Sequence, residues 1–175
     1  MTVVTRTASL AESAPRTGPC DPQEFRRVLS HYPTGVVVVS ALVDGRPEGM
    51  AAGSFLSVSL DPPLVAFCAD HGSTTWPRLR SAGTFAVNVL GASQQDVCRT
   101  FAQRGVDRFA GRSWTPDRNG NPLLDASPAW ISCRLEAVHA VGDHDLVVGH
   151  VEDLGVRGPS DPLVFLRGGY PRLSS

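Results

Sequence analysis

The chain has 175 residues, 42% of them hydrophobic and 19% charged, the balance of one well-buried domain rather than of a disordered polymer or of two comfortable domains. A net charge of -1 and a pI near 6.5 offer no basic surface for DNA or RNA. No apolar run approaches the roughly 20 residues that span a bilayer, and the N-terminus lacks the basic-then-apolar design of a secretory signal. A cytoplasmic protein that binds neither nucleic acid nor membrane is expected. Cys20, Cys68, Cys98 and Cys133 are scattered without metal or redox spacing and read as buried free thiols.

Residues 1–20 are rich in Thr, Ser, Ala, Pro and Arg without apolar period and read as a disordered tail; residues 21–175 read as a single domain. Asp21 is placed to cap a helix with Pro22 at its first position and Glu24 completing a capping-box arrangement. Phe25, Val28, Leu29 and Tyr32 fall on one face of that helix, and Pro33 closes it. From Thr34 the texture turns to short β-rich runs. Residues 35–43 are dominated by Val and end at Asp44-Gly45, a strong hairpin signal, with a return strand over 48–52. Extended segments follow at 55–59, 64–69 and 84–90, the first two separated by the turn Asp61-Pro62-Pro63.

Short helices are expected near Ser73, carrying Trp76 and Leu79, and from Ser93, burying Val97 and Phe101. Residues 105–127 form a stretch too long for an ordinary connection and suggest a functional or interface loop. A long hairpin pairs 129–141 with 146–154 around Gly142-Asp143-His144-Asp145, and a last strand covers 162–167. Strands at regular spacing point to a mainly β barrel or sandwich rather than alternating βαβ units.

Absent motifs narrow the chemistry. There is no Gly-x-Gly-x-x-Gly fingerprint, no nucleophile elbow, and no phosphate loop, which a chain whose 16 basic residues are all Arg cannot build. Four segments carry polar groups that a bare scaffold does not demand. In the first, Ala51, Ala52 and Gly53 are small enough for a planar ring to lie on the backbone, and Ser54, Ser57 and Ser59 add hydroxyls. A kink at a barrel corner explains the same residues. In the second, Ser73, Thr74 and Thr75 gather at a helix start with Arg78 one turn on, which suits a phosphate or plain helix capping. In the third, His144 is the residue that the hairpin turn itself does not require; a donor to a ligand and a solvent-facing turn histidine both explain it. His139 and His150 share that hairpin, but their spacing with Asp143 or Asp145 fits no metal-ligand pattern. In the fourth, Arg108 and Phe109 follow Phe101 and could face a phosphate and a ring or anchor an interface loop.

Taken in order, the segments resemble the flavin reductase family that serves two-component flavin-dependent monooxygenases. The likeness rests on Tyr32-Pro33-Thr34-Gly35-Val36, the run from Gly53 to Val65, Ser73-Thr74-Thr75-Trp76, the run from Phe85 to Leu90, Asp107-Arg108-Phe109 and Gly142-Asp143-His144. The resemblance implies an FMN-binding split β-barrel of Greek-key type with a few short helices. It also implies a homodimer, FMN or FAD as flavin, and NADH or NADPH as reductant. On it, Thr34, Ala51, Ala52, Gly53 and Ser54 would contact the ring and ribityl chain. Ser57, Ser73 and Thr75 would serve the phosphate, with Arg108 keeping a basic charge common in the family. Ala69 and Asn88 would line the site, and Phe109 and His144 would meet the nicotinamide, His144 as the catalytic candidate. Two departures, Gly53 where relatives carry a polar residue and Leu56 where they carry a hydroxyl, imply backbone contacts there.

The implied chemistry is hydride transfer between two rings stacked within about 3–3.5 Å, for which the protein supplies alignment and donors. Reduced flavin would then pass to a monooxygenase. A non-catalytic flavin- or haem-binding barrel, acting as carrier or sensor, is the competing reading.

Overall fold

A computed structural model describes residues 20–173. Most of the expected tail, residues 1–19, lies outside the described residues. Among those described, no helix is long and apolar enough to cross a membrane.

Helix α1 (Pro22–Leu29) starts as its sequence dictates, with Asp21 accepting from the Glu24 N–H at 3.1 Å and Pro22 in the first turn. The α-helix closes at Leu29, and two tighter turns, from His31 to Val28 and from Tyr32 to Leu29, carry the chain to Pro33. Its apolar face finds no cover: Phe25, Val28, Leu29 and Tyr32 are all at least half exposed.

The expected single strand over residues 35–43 is two elements. Strand β1 (Thr34–Gly35) pairs with β11 (Val164–Phe165), and after Val36 the chain enters β2 (Val37–Val43). The Asp44-Gly45 turn, with both residues at positive φ, sends the chain back as β3 (Arg46–Ala52). Next come β4 (Leu56–Leu60), β5 (Pro63–Asp70), α2 (Trp76–Ser81), β6 (Thr84–Val89) and α3 (Gln95–Ala102). The expected loop over 105–127 is partly ordered as a small hairpin of β7 (Trp114–Pro116) and β8 (Pro122–Leu124), with Asn121, Leu123 and Leu124 buried. The long hairpin of β9 (Ala129–Val141) and β10 (His144–Val156) turns on Gly142-Asp143 alone, so His144 and Asp145 belong to the strand. The last strand is only two residues long, because the chain reverses between Leu166 and Gly169.

Seven strands form one antiparallel sheet in the order β3-β2-β6-β9-β10-β5-β4. Laid flat, six spacings of about 4.8 Å would hold its edge strands about 29 Å apart. Yet the two edges, β3 and β4, are joined by only Gly53, Ser54 and Phe55, a link that reaches at most about 14 Å. The sheet must therefore roll, and the mainly β, Greek-key split barrel is the result. Ser54 pins the closure: its hydroxyl accepts from the Cys68 N–H at 2.8 Å and donates to the Cys68 carbonyl.

Strand β2 is buried on both faces, which explains its continuous apolar run. Val37, Val39 and Ala41 point into the barrel with Phe85, Val87 and Cys133, around Phe67, whose ring meets Trp76 and Phe85 edge-on at 5.7 and 5.6 Å. Val36 and Val38 pack outside, against Val97, Cys98 and Phe101 of α3 and against Leu90 and Leu163. That outer layer positions the site.

Candidate functional site

Where β3 runs out beneath α3, a cavity of about 240 Å³ opens, lined by Thr34, Val36, Ala51, Ala52, Gly53, Cys98, Phe165 and Tyr170. Its walls follow from small residues at the end of β3 and from the β1–β11 pair beside them. At Gly53 a Cβ atom would sit 3.2 Å from Thr34 Oγ1, so the absent side chain keeps the space open. The cleft is largely apolar, with the Thr34 and Tyr170 hydroxyls as polar groups in its lining, the character of a site with room for a planar ring. The cavity unites four residues singled out in the sequence, Thr34, Ala51, Ala52 and Gly53. It adds Cys98, Phe165 and Tyr170, which no local motif announced because they arrive from α3 and the C-terminal turn.

A larger cavity of about 530 Å³ lies at the other end of β3, between Arg46, Glu48 and Gly49, the turn carrying Asp107, Arg108 and Phe109, and Trp114. Arg108 acts there as a strut. Its Nη1 donates to the Gly49 carbonyl at 3.0 Å and to Thr75 Oγ1 at 2.7 Å, and its Nε and Nη2 both donate to the Gln103 carbonyl. Burial draws its pKa down from the ordinary arginine value, with Glu48 opposing, and the guanidinium keeps its charge at neutral pH. Phe109 is buried and meets Phe101 edge-on at 5.0 Å, so it anchors the turn.

The start of α2 is held by its own side chains. Ser73 Oγ accepts from the Thr75 and Trp76 N–H groups, and Thr75 is buried with its hydroxyl on Arg108. Capping therefore accounts for the Ser73 hydroxyl, whereas Thr75 makes no side-chain cap bond and its hydroxyl is held by Arg108 instead. Ser54 is engaged in barrel closure, while Ser57 is exposed on edge strand β4, away from either cavity lining. Ala69 and Asn88, expected to line the site, line neither cavity. Ala69 is fully buried in the barrel core. Asn88 is fully buried and gives all its polar atoms to the protein, tying β6 to β2 and β8.

His144 lines neither cavity. It is half-buried at the start of β10, with Nδ1 2.7 Å from Asp143 Oδ1, and this pairing holds the Asp143 carboxyl below the ordinary carboxylate range. Next to it, Asp145 latches the hairpin to α2. Its Oδ2 accepts from Trp76 Nε1 at 2.8 Å, and its Oδ1 lies 3.0 Å from His71 Nε2, with Arg80 farther off at 3.9 Å. The Trp76 hydrogen bond, then His71 and Arg80, hold the Asp145 carboxyl low against its desolvation. The ionised form is thus favoured in the fold, so the latch stabilises above the unfolded carboxylate pKa of about 3.9 and is lost as pH falls through the lower folded value. Asp145→Asn is expected to lower the melting temperature at pH 7 and to flatten its decline below about pH 4. Thermal melts from acid to neutral pH check this; variant and wild-type curves that run parallel would contradict it. No group of three or more metal-ligating side chains occurs among the described residues.

Residues 29–174 match the family described as "Flavin reductase like domain". A flavin reductase of Pseudomonas putida is 50% identical over 151 residues, covering 86% of this chain and 89% of that protein. The reductase subunit HsaB of a flavin-dependent monooxygenase from Rhodococcus jostii is 44% identical over 150 residues, covering 86% of this chain and 77% of that protein. Among solved structures, the NADH:FAD oxidoreductase SgcE6 of Streptomyces globisporus, in complex with NAD and FAD fragments, is 35% identical. It superposes with a TM-score of 0.84 over 92% of this chain and 98% of its own.

Proposed function

The chain belongs to the flavin reductase-like family, and on that premise we propose that it takes hydride from NADH or NADPH, delivers it to FMN or FAD, and supplies the reduced flavin to a partner monooxygenase. The observation that carries this reading is the cleft at the end of β3, where Thr34, Ala51, Ala52 and Gly53 leave room for a flat ring. When bound, a flavin supplies the electron-accepting ring that the protein's own side chains lack.

The chain's residues then divide the work. Ala51, Ala52 and Gly53 form the flat wall, and Thr34 offers a hydroxyl at its rim. Ser54 holds the closure next to that wall. Toward the phosphate, Ser73 and Thr75 shape the loop before α2, Arg108 braces it, and Ser57 is a further hydroxyl on the neighbouring edge. Asn88 and Ala69 support the site from beneath as core residues. Phe109 fixes the turn beside the larger cavity, and His144, whose Nε2 has no partner among the described residues, is our candidate for orienting the nicotinamide.

A homodimer is part of the proposal. It is supported by the uncovered apolar face of α1 and by Leu56, Val58 and Leu60 exposed along edge strand β4. A cytoplasmic setting fits the four unpaired cysteines.

The test is consumption of NADH or NADPH by the purified protein as FMN or FAD is added. Oxidation that depends on flavin and continues far past one equivalent of protein is expected. Flavin binding without nicotinamide turnover would favour the carrier reading, which finds no support in the three similar proteins named above, each called a reductase or oxidoreductase.

A further inference from the structure

The ring cleft has a wall that the small residues of β3 do not supply. After β11 the chain reverses at Leu166 and Gly169, which exchange hydrogen bonds at 2.9 Å, and so returns Tyr170 alongside Phe165 with their rings 5.4 Å apart. The Arg99 guanidinium lies over the Tyr170 ring, 5.9 Å from its centroid, and fixes it from the side of α3. The phenol oxygen meets Cys98 Sγ at 3.1 Å, and both residues line the cleft. Tyr170 and Thr34 bring the hydroxyls of an otherwise apolar lining, and among the described residues the only side-chain partner of the Tyr170 hydroxyl is a sulfur, a weak acceptor.

We propose that Tyr170 is a positioning residue for the flavin: its hydroxyl leaves Cys98 and donates to a polar edge atom of the bound ring system, with Cys98 as its resting partner. The inference rests on the function proposed above and adds a contact to it. Exchanging a thiol for a nitrogen or oxygen acceptor strengthens the bond, so the switch favours the occupied cleft. Burial, with the Cys98 hydrogen bond adding to it, pushes the Tyr170 pKa up to about 12, so the phenol stays protonated and able to donate at neutral pH.

The test is binding of FMN to the full chain, followed by quenching of flavin fluorescence, for wild type, Tyr170→Phe and Cys98→Ala. Tyr170→Phe is expected to raise the dissociation constant about three- to tenfold, the loss of one net hydrogen bond, and to shift the visible absorption band of the bound flavin. Cys98→Ala is expected to lower it about two- to threefold, because no protein bond has to be given up. Equal affinity and an unshifted band in wild type and Tyr170→Phe would overturn the inference. If Tyr170→Phe does not fold, Cys98→Ala decides alone: tighter binding supports the exchange, and unchanged or weaker binding overturns it. Wild-type protein that leaves FMN fluorescence unquenched would overturn the proposed function itself, and the inference with it.

Discussion

Asn88→Ala is expected to melt about 6–12 °C below the wild type. The amide is fully buried, donating to the Val38 carbonyl at 3.2 Å, to Ser40 Oγ at 2.9 Å and to the Pro122 carbonyl at 3.3 Å. Its oxygen accepts from the Leu124 N–H at 2.7 Å, which fastens β8 onto the barrel. Alanine leaves that N–H buried without a partner and opens a void where the amide was. Together these effects cost about 3 kcal/mol, and each kcal/mol lowers the melting point of a domain this size by about 2–4 °C. Thermal unfolding followed by circular dichroism checks the stability. FMN titration well below the melting point checks the role, with affinity expected within about twofold of wild type. An unchanged melting temperature together with weakened flavin binding would return Asn88 to the ligand, as the family resemblance implied.

Gly53→Leu is expected to weaken flavin binding by about tenfold or more, which is about 1.4 kcal/mol or above, while leaving the fold in place. The residue is exposed and its φ lies outside the left-handed region, so the backbone accepts a side chain. The new Cβ lies 3.2 Å from Thr34 Oγ1, and the three carbons beyond it occupy the cleft of about 240 Å³. Flavin reduction at low flavin should fall in proportion, with the melting temperature nearly unchanged. Gly53→Ala needs Thr34 to yield by only a few tenths of an ångström and is expected to show a small effect. A leucine variant that bound FMN as tightly as wild type would mean that the ring lies elsewhere.

Local signals in the sequence were faithful to local structure. The Asp21-capped helix start with Pro22 in its first turn and the Asp44-Gly45 turn each follow from contacts within a few residues, and both appear where their chemistry puts them. The small residues of the cleft were legible for the same reason, since they neighbour one another at the end of β3 and just beyond it. What escaped was set by distant pairing. Cys98 and Tyr170 lie 72 positions apart and meet only because α3 and the C-terminal turn pack on one face of the sheet. Asn88 was placed at the site only by the family resemblance, and its bond to the Leu124 N–H of β8, 36 positions away, has no local signal. The apolar stripe of α1 was visible as periodicity, but a stripe does not say what it packs against, and here it stands uncovered.

Asp145 makes a similar point at the hairpin tip. A turn aspartate has an adequate explanation in backbone geometry, yet its carboxylate bridges Trp76 and His71 and so ties β10 to the segment that shapes the start of α2. Arg108 and Thr75 likewise meet across 33 positions in a bond that neither local segment announces.

Anaerobic mixing of a small amount of the protein with excess FMN and NADH or NADPH, followed through the loss of flavin's visible colour, tests the central claim most directly. The account predicts that many equivalents of flavin are bleached per protein chain, because the cleft turns over its flavin. Bleaching that stops at one equivalent, or that never begins with either nicotinamide, would contradict it.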